Sequence, residues 1–326
     1  MNADFEAELA HDADARPYRR TQAFEAHNRK LAPHLLRLAR PGDALLYEVP
    51  WSNALVDEAR RREVGLVSPR AAASGRTPQA QRLFTPWGWT RRAREEGAHA
   101  GAEVRPPDFA VVARVNSKLW SHALEVEMGW ALRGSCVAHT PEELAEAAAR
   151  ACPGADDKWV VKSPYGFAAR ERVLGRGPRV AGAQAAWAFK RLARGEPLVF
   201  QPWLEVRREY GVVVEVSRRG AHRLLGVSDL QTNGAGTGTG YVLGRPPAPG
   251  RLKELEEVAG VVCERLRAEG YCGPAGFDAL EHAGGLHPLL EVNARYTMGF
   301  VALAVEHELR PTGPTFWDMK AGGFGG

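Results

Sequence analysis

Apolar and polar positions alternate most regularly near the end of the chain, where residues 270–299 read GYCGPAGFDALEHAGGLHPLLEVNARYTMG. The period of two predicts a β-hairpin, and Gly284 with Gly285 is the kind of pair that a two-residue primed turn favours. Counting back from that turn sets Ala283 against Leu286 and Asp278 directly against Glu291. Successive side chains on a strand take opposite sides, so Glu291, Asn293 and Arg295 share one face while Leu290 and Val292 share the other. Ahead of the hairpin the period becomes helical. Leu252, Leu255, Val258, Val262 and Leu266 fall on one face, behind the proline-rich connector 245–250, and Gly270 supplies the stop. This helix is expected to back the hairpin.

Earlier segments are shorter. Residues 1–40 read as a polar lead-in and a loosely periodic helix that ends at Pro41 and Gly42, with no evident chemistry. A strand at 44–49, a helix at 53–62 and a strand at 63–67 suggest a small α/β unit. The apolar run 109–115 reads as a strand leading into a helix capped by Asn116 and Ser117, with Leu119, Ala123, Leu124 and Met128 along it. A strand at 134–138 precedes Thr140, Pro141 and Glu143, a capping box that opens a helix to about residue 150. Strands at 158–162 and 197–203 flank an alanine-rich helix at 182–193. The glycine-rich run 232–240 has Thr239 where a dinucleotide motif needs its third glycine, and no helix follows, so it reads as a mobile loop. Trp87 and Trp89, in TPWGW, read as packing residues.

The composition is that of an ordinary globular protein: 326 residues, 44% hydrophobic and 25% charged, long enough for two or three modules. A net charge of +4 with scattered basic residues gives no electrostatic case for nucleic acid or a membrane as partner. Arg60, Arg61 and Arg62, and likewise Arg91, Arg92 and Arg94, read as solvated faces. Cys136, Cys152, Cys263 and Cys272 lack metal-ligand spacing and suggest free thiols in a reducing compartment. The acidic first residues are unlike a signal peptide and no run of about 18 apolar residues occurs, so a cytoplasmic location is expected.

Four stretches carry candidate chemistry. Opposed carboxylates weaken a sheet, so Asp278 facing Glu291 calls for a cation between them; with the Asn293 amide they form a hard oxygen set suited to Mg²⁺, which takes further ligands from water and substrate phosphates. Arg295 extends that face and can hold an anion. Lys118 falls in the first turn of its helix, where a cation opposes the helix dipole, so its placement hints at a bound phosphate. Lys162 ends the apolar strand KWVVK at the mouth of a turn containing Ser163 and Gly166, a plausible phosphate grip of charge and backbone N–H donors. It is not a Walker A loop, since no Gly-Lys pair occurs in the chain. Gln201, Pro202, Trp203 and Leu204 form an extended segment whose backbone can meet an adenine edge, and Glu209 can accept from ribose hydroxyls.

The order of these stretches resembles the ATP-grasp superfamily, over roughly residues 116–300, and most specifically in the closing strand LLEVNARYTMG with its upstream aspartate. Within it the chain looks closest to bacterial ATP-grasp-like proteins of unassigned activity, with PWGW, GPAGFD and EVNARYTMG-like stretches. The resemblance implies a fold of two α+β subdomains that clamp ATP, preceded by a small α/β domain. The expected division is a lead-in at 1–40, the α/β domain at 41–116, and the subdomains at 117–198 and 199–326. It further implies that Lys118 and Lys162 touch phosphates, Gln201 to Leu204 the adenine, Glu209 the ribose, and Asp278, Glu291 and Asn293 the Mg²⁺, with Arg295 steadying the transferred phosphoryl group or an acyl phosphate. The implied activity is ligation of a small-molecule or peptide carboxylate to an amine or similar nucleophile; a kinase and a regulatory nucleotide binder are the alternatives. The chain departs from the family in one place. The loop after Lys162 is usually rich in glycine and serine, whereas residues 163–170 contain Gly166 as their sole glycine, so Arg170 is expected to compensate by contacting phosphates or the loop closes poorly.

Overall fold

A computed structural model of the chain describes residues 1–13, 18–46, 51–69, 82–166 and 171–319. Arg170, and residues 47–49 of the first expected strand, lie outside the described residues.

Three sheets organise these segments. The first is a parallel pair, β1 (Ala44–Leu46) and β2 (Gly65–Val67), joined through helix α3 (Asn53–Arg61), as the α/β pattern predicts. The second has four antiparallel strands in the order β3 (Cys136–Ala138), β6 (Leu198–Pro202), β4 (Lys158–Lys162) and β5 (Arg172–Arg176). Helices α7 (Pro141–Ala151) and α8 (Gly182–Leu192) cover one face, against Trp159, Val161, Leu198 and Phe200. Strand alternation therefore turns Val160, Lys162, Val199 and Gln201 to the opposite face. The third sheet has six strands in the order β11 (Gly285–Asn293), β10 (Gly273–His282), β7 (Arg208–Val216), β8 (His222–Thr232), β9 (Gly238–Leu243) and β12 (Thr315–Asp318). Helix α9 (Pro249–Ala268) packs on β7 and β8, burying Leu255, Val258, Val262 and Leu266 as its period predicts, together with Ala259 and Cys263. Gly270 follows it with φ +86. Helix α10 (Met298–Leu309) packs against β7, β8 and β9. The four cysteines are free thiols, and among the described residues no helix is long and apolar enough to cross a membrane.

Helix α4 (Arg91–His99) comes next, and the run 109–115 beyond it is not a strand. Phe109–Asn116 forms helix α5, capped by Asp108, whose Oδ1 accepts from the Ala110 N–H at 2.7 Å. Its valines favour strands by propensity, but Val111, Val112 and Val115 bury one helical face in the main core, and packing overrides the preference. Helix α6 (Lys118–Glu127) follows directly, with Ser117 as its cap. These helices seal the free edge of β11. The Val292 N–H donates to Ser121 Oγ at 3.0 Å and the Ala294 N–H to Asn116 Oδ1 at 2.8 Å, so backbone donors that would be open at an edge strand are satisfied by helix side chains.

Two further expectations need correction. The hairpin turn is one residue earlier than expected, since His282 pairs with Gly285 and leaves Ala283 and Gly284 at the turn. Asp278 still pairs with Glu291, because between the Leu280–His287 and Asp278–Glu291 pairs three residues of β11 face Ala279 alone. Pro288 lies in this irregularity, where a residue without an N–H is tolerated. The glycine-rich run 232–240 is not a free loop but the end of the β8–β9 hairpin, closed by Asn233 Oδ1, which accepts from the Ala235 and Thr237 N–H groups at 3.0 Å each.

The lead-in is also not peripheral. Helices α1 (Phe5–Ala13) and α2 (Gln22–Leu31) surround a buried polar knot in which Asp4 accepts from Tyr18 Oη at 2.7 Å, Arg20 Nε at 2.6 Å and Asn28 Nδ2 at 3.1 Å. Phe5 is wholly buried in the main core, against Gly88, where a Cβ would come within 2.5 Å of the ring. The Phe5→Ala variant should lose about 3–5 kcal/mol of stability. Denaturant unfolding measures this, and a loss below about 1 kcal/mol would mean that α1 does not belong to the core.

Candidate active site

Two like-charge pairs define the site. On the face of the four-stranded sheet turned away from its helices, β4 and β5 set Lys162 directly opposite Arg172. In the six-stranded sheet, β10 and β11 set Asp278 directly opposite Glu291. Either pair alone weakens its own sheet. Lys118, at the start of α6, joins the two halves: its Nζ lies 2.8 Å from Glu291 Oε2 and donates to the Gly166 carbonyl at 2.8 Å, while its N–H donates to the Pro164 carbonyl at 2.9 Å. The turn after Lys162 is thereby tied to the acidic hairpin.

Electrostatics follow from this layout. Burial, reinforced by the charges of Glu291 and Glu209, raises the Asp278 carboxyl well above the usual range. Burial also acts to raise Glu291, but Lys118 and Lys162 outweigh it and hold that carboxyl low. The site thus favours one ionised carboxylate of the pair. Burial lowers Lys162, with Lys118 and Arg172 adding to the effect against Glu291 and Glu125. Lys162 is buried, and among the described residues its ammonium has no hydrogen bond or ion pair. Burial pushes Glu209 up to about 7, helped by Glu291 and opposed by the Thr232 hydroxyl, which donates to Glu209 Oε2 at 3.0 Å.

The remaining predicted residues are spread around this centre. The Ser163 hydroxyl donates to Glu196, and its N–H to the Glu171 carbonyl at 3.0 Å. Gln201 directs its amide inward, Nε2 donating to the buried Glu125 at 3.1 Å, and Pro202 closes β6 opposite Trp159. The Trp203 N–H is taken by the Lys158 carbonyl at 2.8 Å. The Leu204 N–H has no hydrogen-bond partner among the described residues. Arg295 is not an open cation. Its Nε donates to Glu6 Oε1 at 2.7 Å, Nη2 to Glu6 and to Asn293 Oδ1 at 2.9 Å, and Nη1 to the Tyr296 carbonyl at 2.9 Å.

Sequence reading missed three participants. Arg172 had a signal, since the strand that returns antiparallel to β4 must set some residue opposite Lys162. It stands over the Trp203 ring at 5.8 Å and donates to the Ala235 carbonyl at the β8–β9 turn. Glu6 and Glu125 had none, because their partners lie on distant segments.

The donor set suits Mg²⁺. Among the described residues no group of three His, Cys, Asp or Glu has metal-binding geometry. The opposed Asp278 and Glu291 would offer carboxylate oxygens, and Asn293 an amide oxygen that here accepts from Arg295, to a cation that keeps its waters and completes its coordination with phosphate.

No family model and no curated protein matches the sequence. Solved structures do match. N5-carboxyaminoimidazole ribonucleotide synthetase from Thermus thermophilus superimposes with a TM-score of 0.53 at 18% identity, over 87% of this chain and 78% of that one. A biotin carboxylase from Campylobacter jejuni, solved as a β-γ-ATP complex, gives 0.58 at 15% identity over 84% and 65%. The biotin carboxylase domain of 2-oxoglutarate carboxylase from Hydrogenobacter thermophilus, solved with MgADP, ADP and bicarbonate, gives 0.54 at 14% over 78% and 58%.

The acidic pair generates a prediction. Asp278 has a folded-state pKa above its unfolded value, so its penalty is absent below the unfolded pKa and is present in full once pH exceeds the folded one. Asp278→Asn should therefore raise the melting temperature of the ligand-free protein near neutral pH and abolish stabilisation by Mg²⁺. Thermal unfolding with and without the metal checks both, and a variant that melts lower than wild type without ligand would show that the carboxylate is structural.

Proposed function

We propose that the chain, which has the ATP-grasp fold, is an ATP-dependent ligase that joins a carboxylate to an amine or similar nucleophile. The observation that carries this reading is the pairing of Lys162 with Arg172 across from Asp278 with Glu291, bridged by Lys118. In the reading, subdomains at 117–198 and 199–326 close over the nucleotide, behind the α/β layer at 41–116 and the lead-in at 1–40. Lys118 and Lys162 bind phosphates, and Arg172 adds a third cation. The free Leu204 N–H and the backbone of Gln201 take the adenine edge, and Glu209 takes the ribose. Asp278, Glu291 and Asn293 hold Mg²⁺, which would supply charge neutralisation at the phosphates. Phosphoryl transfer needs positioning and charge neutralisation more than a protein nucleophile, and the site offers cations and oxygen ligands for that purpose.

Arg295 is the residue on which ligase and rival part. Glu6 and Asn293 fix its guanidinium beside the proposed metal ligands, which suits a contact that steadies the phosphoryl group as it passes to a substrate carboxylate and becomes part of an acyl phosphate. The same Glu6 contact neutralises it at rest and favours, as a second reading, a nucleotide-binding regulatory protein with little turnover.

Two experiments follow. Lys162→Met keeps the aliphatic stem and removes the charge, so titration calorimetry should show Mg·ATP affinity reduced by about tenfold or more, equivalent to at least one charge-assisted contact, with the unliganded melting temperature little changed. A large fall in that temperature would mark Lys162 as structural. In a screen of carboxylates and amines, wild type should release ADP and phosphate only when both substrates are present, and Arg295→Met should retain nucleotide binding while losing about 10²- to 10³-fold in kcat. Stable transfer of labelled γ-phosphate to one acceptor would identify a kinase, and ATP binding without turnover would favour the regulatory reading.

A further inference from the structure

Glu125 is buried to 1% exposure, and three side chains from three elements converge on it. His122, one turn earlier on α6, places Nδ1 3.2 Å from Oε2. Gln201, on β6 of the four-stranded sheet, donates Nε2 to Oε2 at 3.1 Å. His287, on β11 of the six-stranded sheet, places Nε2 3.0 Å from Oε1, off the line of a hydrogen bond. All three partners are themselves buried. A buried carboxylate costs several kcal/mol in desolvation and adds little net stability over an apolar replacement, so stability alone does not account for it.

Its location does. Lys118 and Glu125 lie seven residues apart on α6, hence on one face. Both reach β11, Lys118 at Glu291 and Glu125 at His287, so the helix runs alongside the acidic strand and grips it at two points. The second grip extends through Gln201 to the strand that leads into Leu204. The cluster is therefore where the base-facing strand of one sheet and the metal-facing strand of the other meet through a single side chain.

We infer that Glu125 is a positioning residue that holds the end of β6 and strand β11 at a fixed spacing, so that the base and the metal-bound phosphates of one nucleotide are gripped together. This rests on the nucleotide-binding reading above. A ligand that touches both halves gains from their fixed spacing, whereas a ligand that touches one half gains nothing from it.

The test compares three probes by calorimetry: Mg·ATP, which spans both halves, adenosine, which meets the base side, and Mg·tripolyphosphate, which meets the metal side. Glu125→Gln and His287→Leu should each lower Mg·ATP affinity about tenfold, in the usual range of coupling between sites, while the two half-ligands change by less than about twofold. His287→Gln, which keeps a donor on β11, should bind Mg·ATP as wild type does. If Glu125→Gln fails to fold, as its ligand-free melting will show, the His287 pair carries the test. A loss of Mg·ATP affinity matched by an equal loss for either half-ligand, no loss at all, or an equal loss in His287→Gln and His287→Leu overturns the inference. A wild type that binds adenosine and Mg·tripolyphosphate but gains nothing from their linkage in ATP overturns it while sparing nucleotide binding. A wild type that binds none of the probes overturns the nucleotide reading as well.

Discussion

Two carboxylates set face to face across a hairpin repel each other, and much of the site's architecture serves to tolerate that repulsion. Asp278 and Glu291 are held in register by β10 and β11. Lys118 neutralises one of them, and the other is raised towards its protonated form. The opposite sheet carries the converse strain, with Lys162 set against Arg172. In the proposed reading a magnesium–phosphate ligand would relieve both at once, its cation between the carboxylates and its anions against the cations.

Keeping such a site requires scaffolding from outside the two sheets that carry it. Helices α5 and α6 provide it. They cap the N–H groups of Val292 and Ala294 at the edge of β11 and place Lys118 over Glu291. The N-terminal segment provides a second support, since Phe5 fills the core and Glu6 fixes the Arg295 fork. The residues nearest the proposed chemistry are therefore held from elements far away in sequence.

That distance explains what could be read from the sequence and what could not. The Asp278–Glu291 pairing was legible because a hairpin is local and its period of two fixes which residues meet. The turn was misplaced by one residue, and the irregularity around Pro288 restored the pairing, which alternation alone cannot foresee. Lys118 and Lys162 were legible as a helix start and a strand end. The valines of 109–115 misled because β-branched residues favour strands until a core claims a helical face. Asp4, Glu6 and Glu125 were invisible for a different reason. Buried polar residues paired with distant partners leave a pattern in sequence that is indistinguishable from a solvated surface.

The most direct measurement of the central claim is the affinity of the unmodified protein for ATP with Mg²⁺ and with the metal removed by chelation, determined by calorimetry at neutral pH. If the opposed carboxylates are the metal seat, ATP binds tightly only with Mg²⁺, since without it the triphosphate faces Glu291 and Asp278 directly, and Mg²⁺ added alone raises the melting temperature. Equal affinity for ATP in the presence and absence of the metal, with no thermal shift from Mg²⁺ alone, would contradict the account.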